Sequence, residues 1–182
     1  MPDYLGVRMK KLVLALSLIV MQVVGLQSTY AIPHNRDFAN YTVDYFPKNP
    51  NPEMTPGELC NSPSAYRYPE KIKYCDRNVS PEMKREIIAE YDAEFGYRIQ
   101  QMDRSKFKID HLIPLCAGGA NTKQNLWPQH ESVYQITDRL EAEICAKMAE
   151  GKLMQRRAVE LILTAKKNLD QADSIFQDVE AL

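Results

Sequence analysis

The sequence predicts one small α+β domain that is mostly helical and is held together by disulfides. Three observations support this fold class. Apolar spacing indicates, in chain order, a helix, a short strand, a glycine loop, a second short strand and two helices. Four cysteines follow a segment typical of exported proteins. The chain has 182 residues, 45% of them hydrophobic and 26% charged, which is typical of a single globular domain.

The N-terminus has the features of a secretory signal peptide. Lys10 and Lys11 precede an apolar run at 12–24, and Thr29 and Ala31 are the small residues expected before a cleavage site. This run is shorter than the roughly 20 residues that cross a bilayer, so cleavage after position 31 is favoured over an uncleaved anchor. We therefore predict an exported protein, periplasmic or secreted, with no stable membrane insertion once residues 1–31 are removed.

Net charge alone does not identify a partner. The whole chain carries 23 basic and 24 acidic residues, and the segment after the signal keeps 20 and 23. The composition therefore lacks the strong basic excess that marks many nucleic-acid-binding domains. Residues 71–108 hold nine basic and seven acidic residues, whereas residues 131–182 hold seven and ten. Any side that faces phosphate is expected toward the first of these segments.

The cysteine spacing indicates disulfides. Cys60, Cys75, Cys116 and Cys145 include no C-x2-C pair, which argues against a zinc site, and export would place them in an oxidising compartment. We expect Cys60 to pair with Cys75 and close a short loop. Cys116 would then pair with Cys145 and tie a loop to a following helix. A Cys75–Cys145 crosslink and free buried thiols are the alternatives.

The chain before the first helix has no regular pattern. Prolines at positions 47, 50, 52 and 56 disfavour regular structure in residues 32–58, which we predict to form a proline-rich extended arm. Residues 59–79 are expected to be irregular and held by the first disulfide. The folded domain is predicted to span 59–170, with 171–182 as a C-terminal tail.

A strong helix start follows this irregular segment. Ser80 is a capping residue, Pro81 needs no hydrogen bond in the first turn, and Glu82 suits the positive helix end. Apolar residues recur at helical spacing as far as Gly96, where we expect the helix to end.

Two short strands and two helices are predicted after the first helix. The strands are expected at 107–112 and 125–127, with Pro128 ending the second. Apolar residues then step by three or four, which predicts helices over about 133–148 and 154–169.

The candidate chemistry lies around the two strands. Asp110 and His111 are adjacent at a strand end, and His130 lies where the next helix begins. A carboxylate suits Mg²⁺, and a neutral imidazole can take a proton from water near neutral pH. Consecutive strand residues point to opposite faces, so both reach one site only if the strand ends or twists there. Pro114 and the glycines at 118–119 favour such an ending.

A longer sequence pattern resembles a known family. Asp110-His-Leu-Ile-Pro-Leu-Cys-Ala-Gly-Gly-Ala-Asn121, followed by Asn125-Leu-Trp-Pro-Gln129, resembles the HNH endonucleases of the His-Me finger (ββα-metal) superfamily. It is most similar to exported bacterial members that carry D-H-x-x-P-L, a Gly-Gly loop and N-L-W-P. The resemblance covers about residues 55–165.

This resemblance implies a β-hairpin and a helix that together hold one divalent cation. The cation would be Mg²⁺, with Mn²⁺ as the alternative, and the reaction would be phosphodiester hydrolysis. His111 would be the general base that activates water, and Asp110 would be the first metal ligand. Asn125 would fix the hairpin and the orientation of the base or, as in some members of the superfamily, face the metal.

The final position of the family pattern differs in this chain. The family places a His or Asn eight or nine residues after the middle Asn, where this chain has Val133 and Tyr134. His130 lies five residues after Asn125, and we take it as the candidate second metal ligand. Its alternative role is that of a helix-start histidine with no metal.

The function implied is an exported, metal-dependent endonuclease with little sequence specificity. DNA is the expected substrate, with RNA as a second candidate, and the expected phosphate-binding cations are Arg77, Lys108 and Arg139. The alternative is a catalytically weak binding module for a protein or nucleic acid, favoured by the displaced last ligand and the acidic net charge. A hydrolase of another ester is a third candidate. No oligomerisation signal is evident, so a monomer is expected.

Overall fold

The computed structural model describes residues 45–182, which form a mixed arrangement of helices and two small antiparallel sheets. The signal peptide predicted at 1–31 and the first part of the arm lie outside the described residues. The elements are β1 (Ala65–Arg67), β2 (Ile72–Tyr74), α1 (Pro81–Phe95), β3 (Phe107–His111), β4 (Leu126–His130), α2 (Glu131–Ala149), α3 (Gln155–Lys167) and α4 (Ala172–Glu180).

The β3–β4 hairpin carries the Asp-His pair. Its register runs from Phe107 opposite His130 to His111 opposite Leu126, which places Asp110 opposite Trp127. Helix α2 begins directly after β4, so the chain turns from strand to helix without a loop. The predicted strand at 107–112 is confirmed to within one residue.

The first helix also forms where the sequence predicts it. The Ser80 hydroxyl accepts a hydrogen bond from the Met83 N–H at 3.2 Å, Pro81 occupies the first turn, and Gly96 ends the helix in a left-handed conformation. The Ile87, Ile88 and Tyr91 side chains are buried in an apolar cluster that α1 forms with the β3–β4 hairpin, called the hairpin cluster below. The pattern of caps and apolar spacing was therefore sufficient to locate this element.

Pro128 does not end β4 as predicted. The strand continues to His130, and Pro128 pairs with Ile109. Because β4 lies at the edge of a two-stranded sheet, a residue whose backbone nitrogen faces away from β3 needs no N–H donor. The predicted strand at 125–127 was therefore too short.

Two other segments are more ordered than predicted. The expected irregular segment at 59–79 contains the antiparallel β1–β2 pair, which reverses through Tyr68 and Lys71 at positive φ. The expected tail at 171–182 contains α4. Its Ala172, Ile175 and Val179 are buried at helical spacing, so a short apolar stripe fixes this helix in the core.

The apolar core consists of two clusters. One is built mainly from α2, α3 and α4, and includes Leu140, Ile144 and Ile162. The other joins α1 to the β3–β4 hairpin through residues such as Tyr91 and Trp127. The hairpin is thus packed against α1 in one cluster, while α2 leads directly from it into the other.

The described part of the arm packs on the hairpin cluster. Thr55 is buried; its hydroxyl lies 2.7 Å from the Tyr91 hydroxyl and donates to the Leu126 carbonyl at 3.1 Å. Phe46 packs face to face on the His130 ring, with centroids 4.0 Å apart. Residues 45–58 are therefore a fixed part of this fold.

Both predicted disulfides are present. Cys60 bonds Cys75, and Cys116 bonds Cys145, which joins the turn after β3 to helix α2. The alternative crosslink and the free-thiol alternative are both wrong. Two disulfides indicate a compartment other than the reducing cytoplasm. Among residues 45–182, no helix has the length and apolar character needed to cross a membrane.

Removing either disulfide should destabilise the domain mainly through the unfolded chain. The crosslinks span 15 and 29 residues. In the chain-entropy model we expect losses of about 3 kcal/mol for Cys60→Ser with Cys75→Ser, and about 3.5 kcal/mol for Cys116→Ser with Cys145→Ser. Urea unfolding of each double variant beside the oxidised protein measures both values. Unchanged stability would contradict a structural role for that crosslink.

Candidate functional site

The loop between β3 and β4 is held by the side chain of Asn125. Its amide nitrogen donates to the carbonyls of Ile113 and Ala120, both at 2.9 Å, and its amide oxygen accepts from the Ile113 N–H at 2.9 Å. The Asn125 carbonyl also accepts from the Leu112 N–H at 2.7 Å. Asn125 is fully buried, so these bonds satisfy groups that water cannot reach. Its contacts support the predicted role in fixing the hairpin, whereas a contact with His111 is not among them.

The glycines at 118–119 allow the loop backbone to pack closely against the Asn125 side chain. A Cβ atom on Gly119 would lie 1.8 Å from the Ile113 carbonyl oxygen and 2.7 Å from the Asn125 amide nitrogen. Gly118 has φ +85°, a conformation that favours glycine. The loop can therefore close over Asn125 only with glycine at position 119.

Three carboxylates meet on one side of the hairpin. Asp110 extends from β3, and Asp138 and Glu141 extend from successive turns of α2. One ligand oxygen from each lies within 4.8 Å of the others. Asp110 is 9% exposed, and its Oδ2 atom has no hydrogen-bond partner among the described residues. Hard carboxylate oxygens in this arrangement fit a divalent cation such as Mg²⁺ or Mn²⁺.

Two lysines share this carboxylate cluster. The Lys108 ammonium lies 2.6 Å from Asp138 Oδ1 and 3.5 Å from Asp110 Oδ2. Lys166, from α3, is 1% exposed and lies 2.6 Å from Glu141 Oε1 and 3.7 Å from Asp110 Oδ2. Lys108 is partly exposed, whereas Lys166 is buried.

The carboxylates of the cluster differ in the direction of their pKa shifts. Burial raises the pKa of Glu141 to about 7, against the lowering effect of the Lys166 ammonium. Burial also acts to raise the pKa of Asp110, but the Lys166 and Lys108 ammonium groups outweigh it and hold that pKa below its ordinary value. Near neutral pH, Asp110 is therefore ionised while Glu141 is partly protonated. A bound cation would favour ionised Glu141 and release its proton.

His111 directly follows Asp110 and is the last residue of β3. Its Nε2 atom is 3.0 Å from Asn121 Oδ1, and the residue is only 2% exposed. Burial lowers the pKa of His111, and the Asn121 hydrogen bond partly offsets that effect. The imidazole is therefore neutral at pH 7, which is the form that can accept a proton.

Lys166 links the histidine strand to the carboxylates. Its ammonium donates to the His111 backbone carbonyl at 2.6 Å while it pairs with Glu141. The backbone at the end of β3 is thereby attached to α2 and α3, so the position of the Asp-His pair depends on all three elements.

The structure does not bring His130 to Asp110. His130 pairs with Phe107, three register positions from the Asp110 pair, a separation of about 10 Å along the strand. Its Nδ1 atom accepts from the Ser132 N–H at 3.2 Å and caps α2, while its ring packs on Phe46. These contacts match the alternative role of a helix-start histidine.

The three predicted substrate-binding cations lie in different surroundings. Arg77 donates to the Ile109 carbonyl at 3.1 Å and acts electrostatically on His111. Lys108 belongs to the carboxylate cluster. Arg139 instead pairs with Asp173 on α4 and lies over the Phe176 ring. Of the three, Arg77 is the exposed cation next to the histidine.

Sequence reasoning missed Asp138, Glu141, Lys166 and Asn121 as site residues. The i, i+3 pair of acids on the helix after the hairpin was a usable signal, because residues at that spacing share a helix face. Asn121 ended the recognised pattern but was given no role. No local feature distinguishes Lys166 from its exposed neighbour Lys167, because its burial depends on how α3 packs.

Comparisons with protein-family models, with curated proteins and with solved structures give no significant match to this chain.

The cation-binding residues can be tested directly with Mn²⁺. We expect Asp110→Asn to weaken Mn²⁺ binding about tenfold or more, because it removes the charge of a buried carboxylate ligand. His130→Ala should leave the affinity within about twofold and lower stability by about 1 kcal/mol through loss of the helix cap. Calorimetric titration and urea unfolding measure the two effects. Weakened binding in His130→Ala, with Asp110→Asn unchanged, would reverse this assignment.

Proposed function

We propose that this protein is an exported endonuclease that hydrolyses phosphodiester bonds with a divalent cation. The observation that carries this proposal is the convergence of Asp110, Asp138 and Glu141, with the neutral, buried His111 directly following Asp110 on β3. A cation site next to a proton acceptor is the combination required to attack a phosphodiester with water.

The order of elements supports the same proposal. The β3–β4 hairpin runs directly into α2, and this order of elements supports the ββα-metal arrangement that the resemblance to HNH endonucleases implies. Asp110 would be a metal ligand, as the resemblance implies. Asp138 and Glu141 on α2 would replace the missing final His or Asn of the family pattern, so His130 is not needed as a ligand.

The roles of the chain's own residues follow from their surroundings. His111 would take a proton from the attacking water, since its pKa is lowered by burial and it is neutral at pH 7. Asp110, Asp138 and Glu141 would hold the cation, and Lys108 would be displaced from among them. When bound, the cation would neutralise charge on the scissile phosphate and stabilise the leaving oxygen.

Arg77 is the best-placed candidate for contact with the substrate phosphate. Its guanidinium has five donors, and one of them is used by the Ile109 carbonyl. The remaining donors lie on an exposed residue next to the base. DNA, with RNA as a second substrate, would be held at this side by backbone charge, with little sequence readout.

Export is supported by the two disulfides and by the predicted signal peptide. A nuclease held together by disulfides would reach its folded form only in an oxidising compartment, either the periplasm or the medium.

One observation favours the alternative of a binding module with weak or no catalysis. Lys108 and Lys166 already neutralise much of the carboxylate charge, so the cluster is stable without a metal ion. The cleavage experiment below separates the two functions.

We expect the oxidised protein to cut plasmid DNA and RNA with Mg²⁺ or Mn²⁺ and to lose this activity in chelator. His111→Ala should lower the rate by about 10² to 10⁴-fold, because the base is lost. His130→Ala is the matched histidine control and should retain the activity. Gel assays with equal protein concentrations measure the rates. Equal, metal-independent background cleavage by all three proteins would contradict the proposed nuclease activity and favour the binding module.

Arg77→Ala should weaken DNA binding with a characteristic salt signature. On a His111→Ala background, we expect the slope of log affinity against log salt to fall by about 1 in magnitude, as for loss of one phosphate contact. Arg139→Ala is the matched control, because that arginine is paired with Asp173. Fluorescence anisotropy with a labelled duplex measures both slopes. Equal slopes in all three proteins would remove Arg77 from the substrate site.

A further inference from the structure

We propose that Asn121 is a positioning residue that selects the tautomer of His111, so that Nδ1 is the atom that accepts the proton. This inference rests on the proposed function and names the atom at which His111 would act. It arises from the hydrogen bonds of the asparagine amide, which has a single satisfactory orientation.

Two backbone groups define that orientation. The Asn121 Nδ2 atom donates to the Asp76 carbonyl at 2.7 Å, and its Oδ1 atom accepts from the Asn78 N–H at 3.2 Å. A flipped amide would place its oxygen against the Asp76 carbonyl and its NH₂ group against the Asn78 N–H. Both bonds would then become contacts between two acceptors or two donors.

The remaining contact of Oδ1 is with His111. That oxygen lies 3.0 Å from His111 Nε2, and a carbonyl oxygen can only accept. The Nε2 atom must therefore carry the hydrogen, and a neutral imidazole has only one. Nδ1 is left with its lone pair, and no described residue forms a hydrogen bond with it.

The protein fixes the asparagine as firmly as it fixes the histidine. Asp76 and Asn78 follow directly after Cys75, which is bonded to Cys60. The Cys60 N–H in turn donates to the carbonyl of Gly118, in the same loop that carries Asn121. The Asn121 amide is therefore held by the segment after Cys75, and the Cys60–Cys75 disulfide connects that segment back to the loop that carries Asn121.

The same contacts distinguish Asn121 from Asn125. Asn125 bonds to the loop backbone and determines whether the hairpin closes. Asn121 bonds to the histidine ring and determines which nitrogen is free. Substitution of Asn121 is therefore expected to change the reaction while the cation site is retained.

The decisive measurement is the tautomer of His111 itself. Long-range ¹H–¹⁵N correlation spectra of the oxidised, ¹⁵N-labelled protein at about pH 8, where an imidazole is neutral, distinguish the two forms. The His111→Ala spectrum assigns the signals. We expect the Nε2–H form in the wild-type protein and a mixture of the two forms in Asn121→Ala.

Kinetics supply the second measurement. We expect Asn121→Ala to lower kcat about 10- to 100-fold, with KM for DNA and Mn²⁺ affinity changed less than about twofold. Thr122→Ala is the matched control, because it removes a hydrogen bond to Glu58 from the same loop and leaves the histidine untouched. It should keep both the tautomer and kcat.

The failure of this inference and that of the proposed function are distinguishable. An Nδ1–H tautomer in the wild-type protein, or an unchanged spectrum in Asn121→Ala, would overturn the role of Asn121 even if the protein cleaves DNA. An inactive wild-type protein with the Nε2–H form would overturn the proposed function alone, because the spectrum needs no substrate.

Discussion

The buried ammonium of Lys166 is the interaction on which the arrangement of the site depends. It comes from α3, donates to the His111 carbonyl on β3 and pairs with Glu141 on α2. Leu163 packs against both apolar clusters, and the Lys166 ammonium adds a polar connection between the helical part and the hairpin. Loss of one partner from a buried ion pair typically costs about 3 to 5 kcal/mol, because the other charge is left uncompensated. The Lys166 charge, together with that of Lys108, offsets the mutual repulsion of the three carboxylates.

Local patterns in the sequence predicted the elements that have strong local signals. The cap at Ser80, the left-handed Gly96 and the apolar spacing of α1 determine that helix with little help from the rest of the chain. The extent of β4 depended on tertiary context, since Pro128 is tolerated only because its strand lies at an edge. Helix α4 was missed because its apolar stripe is short and becomes evident only when it packs on α2.

The residues of the candidate site also divide into those that local sequence predicts and those that depend on tertiary packing. Asp110 and His111 were identified from adjacent residues and a sequence resemblance. The other members converge from α2, α3 and the loop after β3, at separations along the chain that a local pattern does not report. Lys166 is 55 residues from the His111 carbonyl that it contacts. The choice of His130 as a candidate ligand rested on nearness in sequence, whereas the register of the hairpin separates His130 from Asp110.

Pro128 has a consequence for the outer side of the hairpin. A proline at an edge strand has no N–H to offer to an incoming strand, and such residues hinder the addition of another chain to a sheet. Pro128 is also buried, so packing within the protein covers β4 at this position. A two-stranded sheet is vulnerable to such pairing because both of its strands are edges. The residue that made the extent of β4 hard to predict thus also removes one hydrogen-bond donor from the outer edge of this strand.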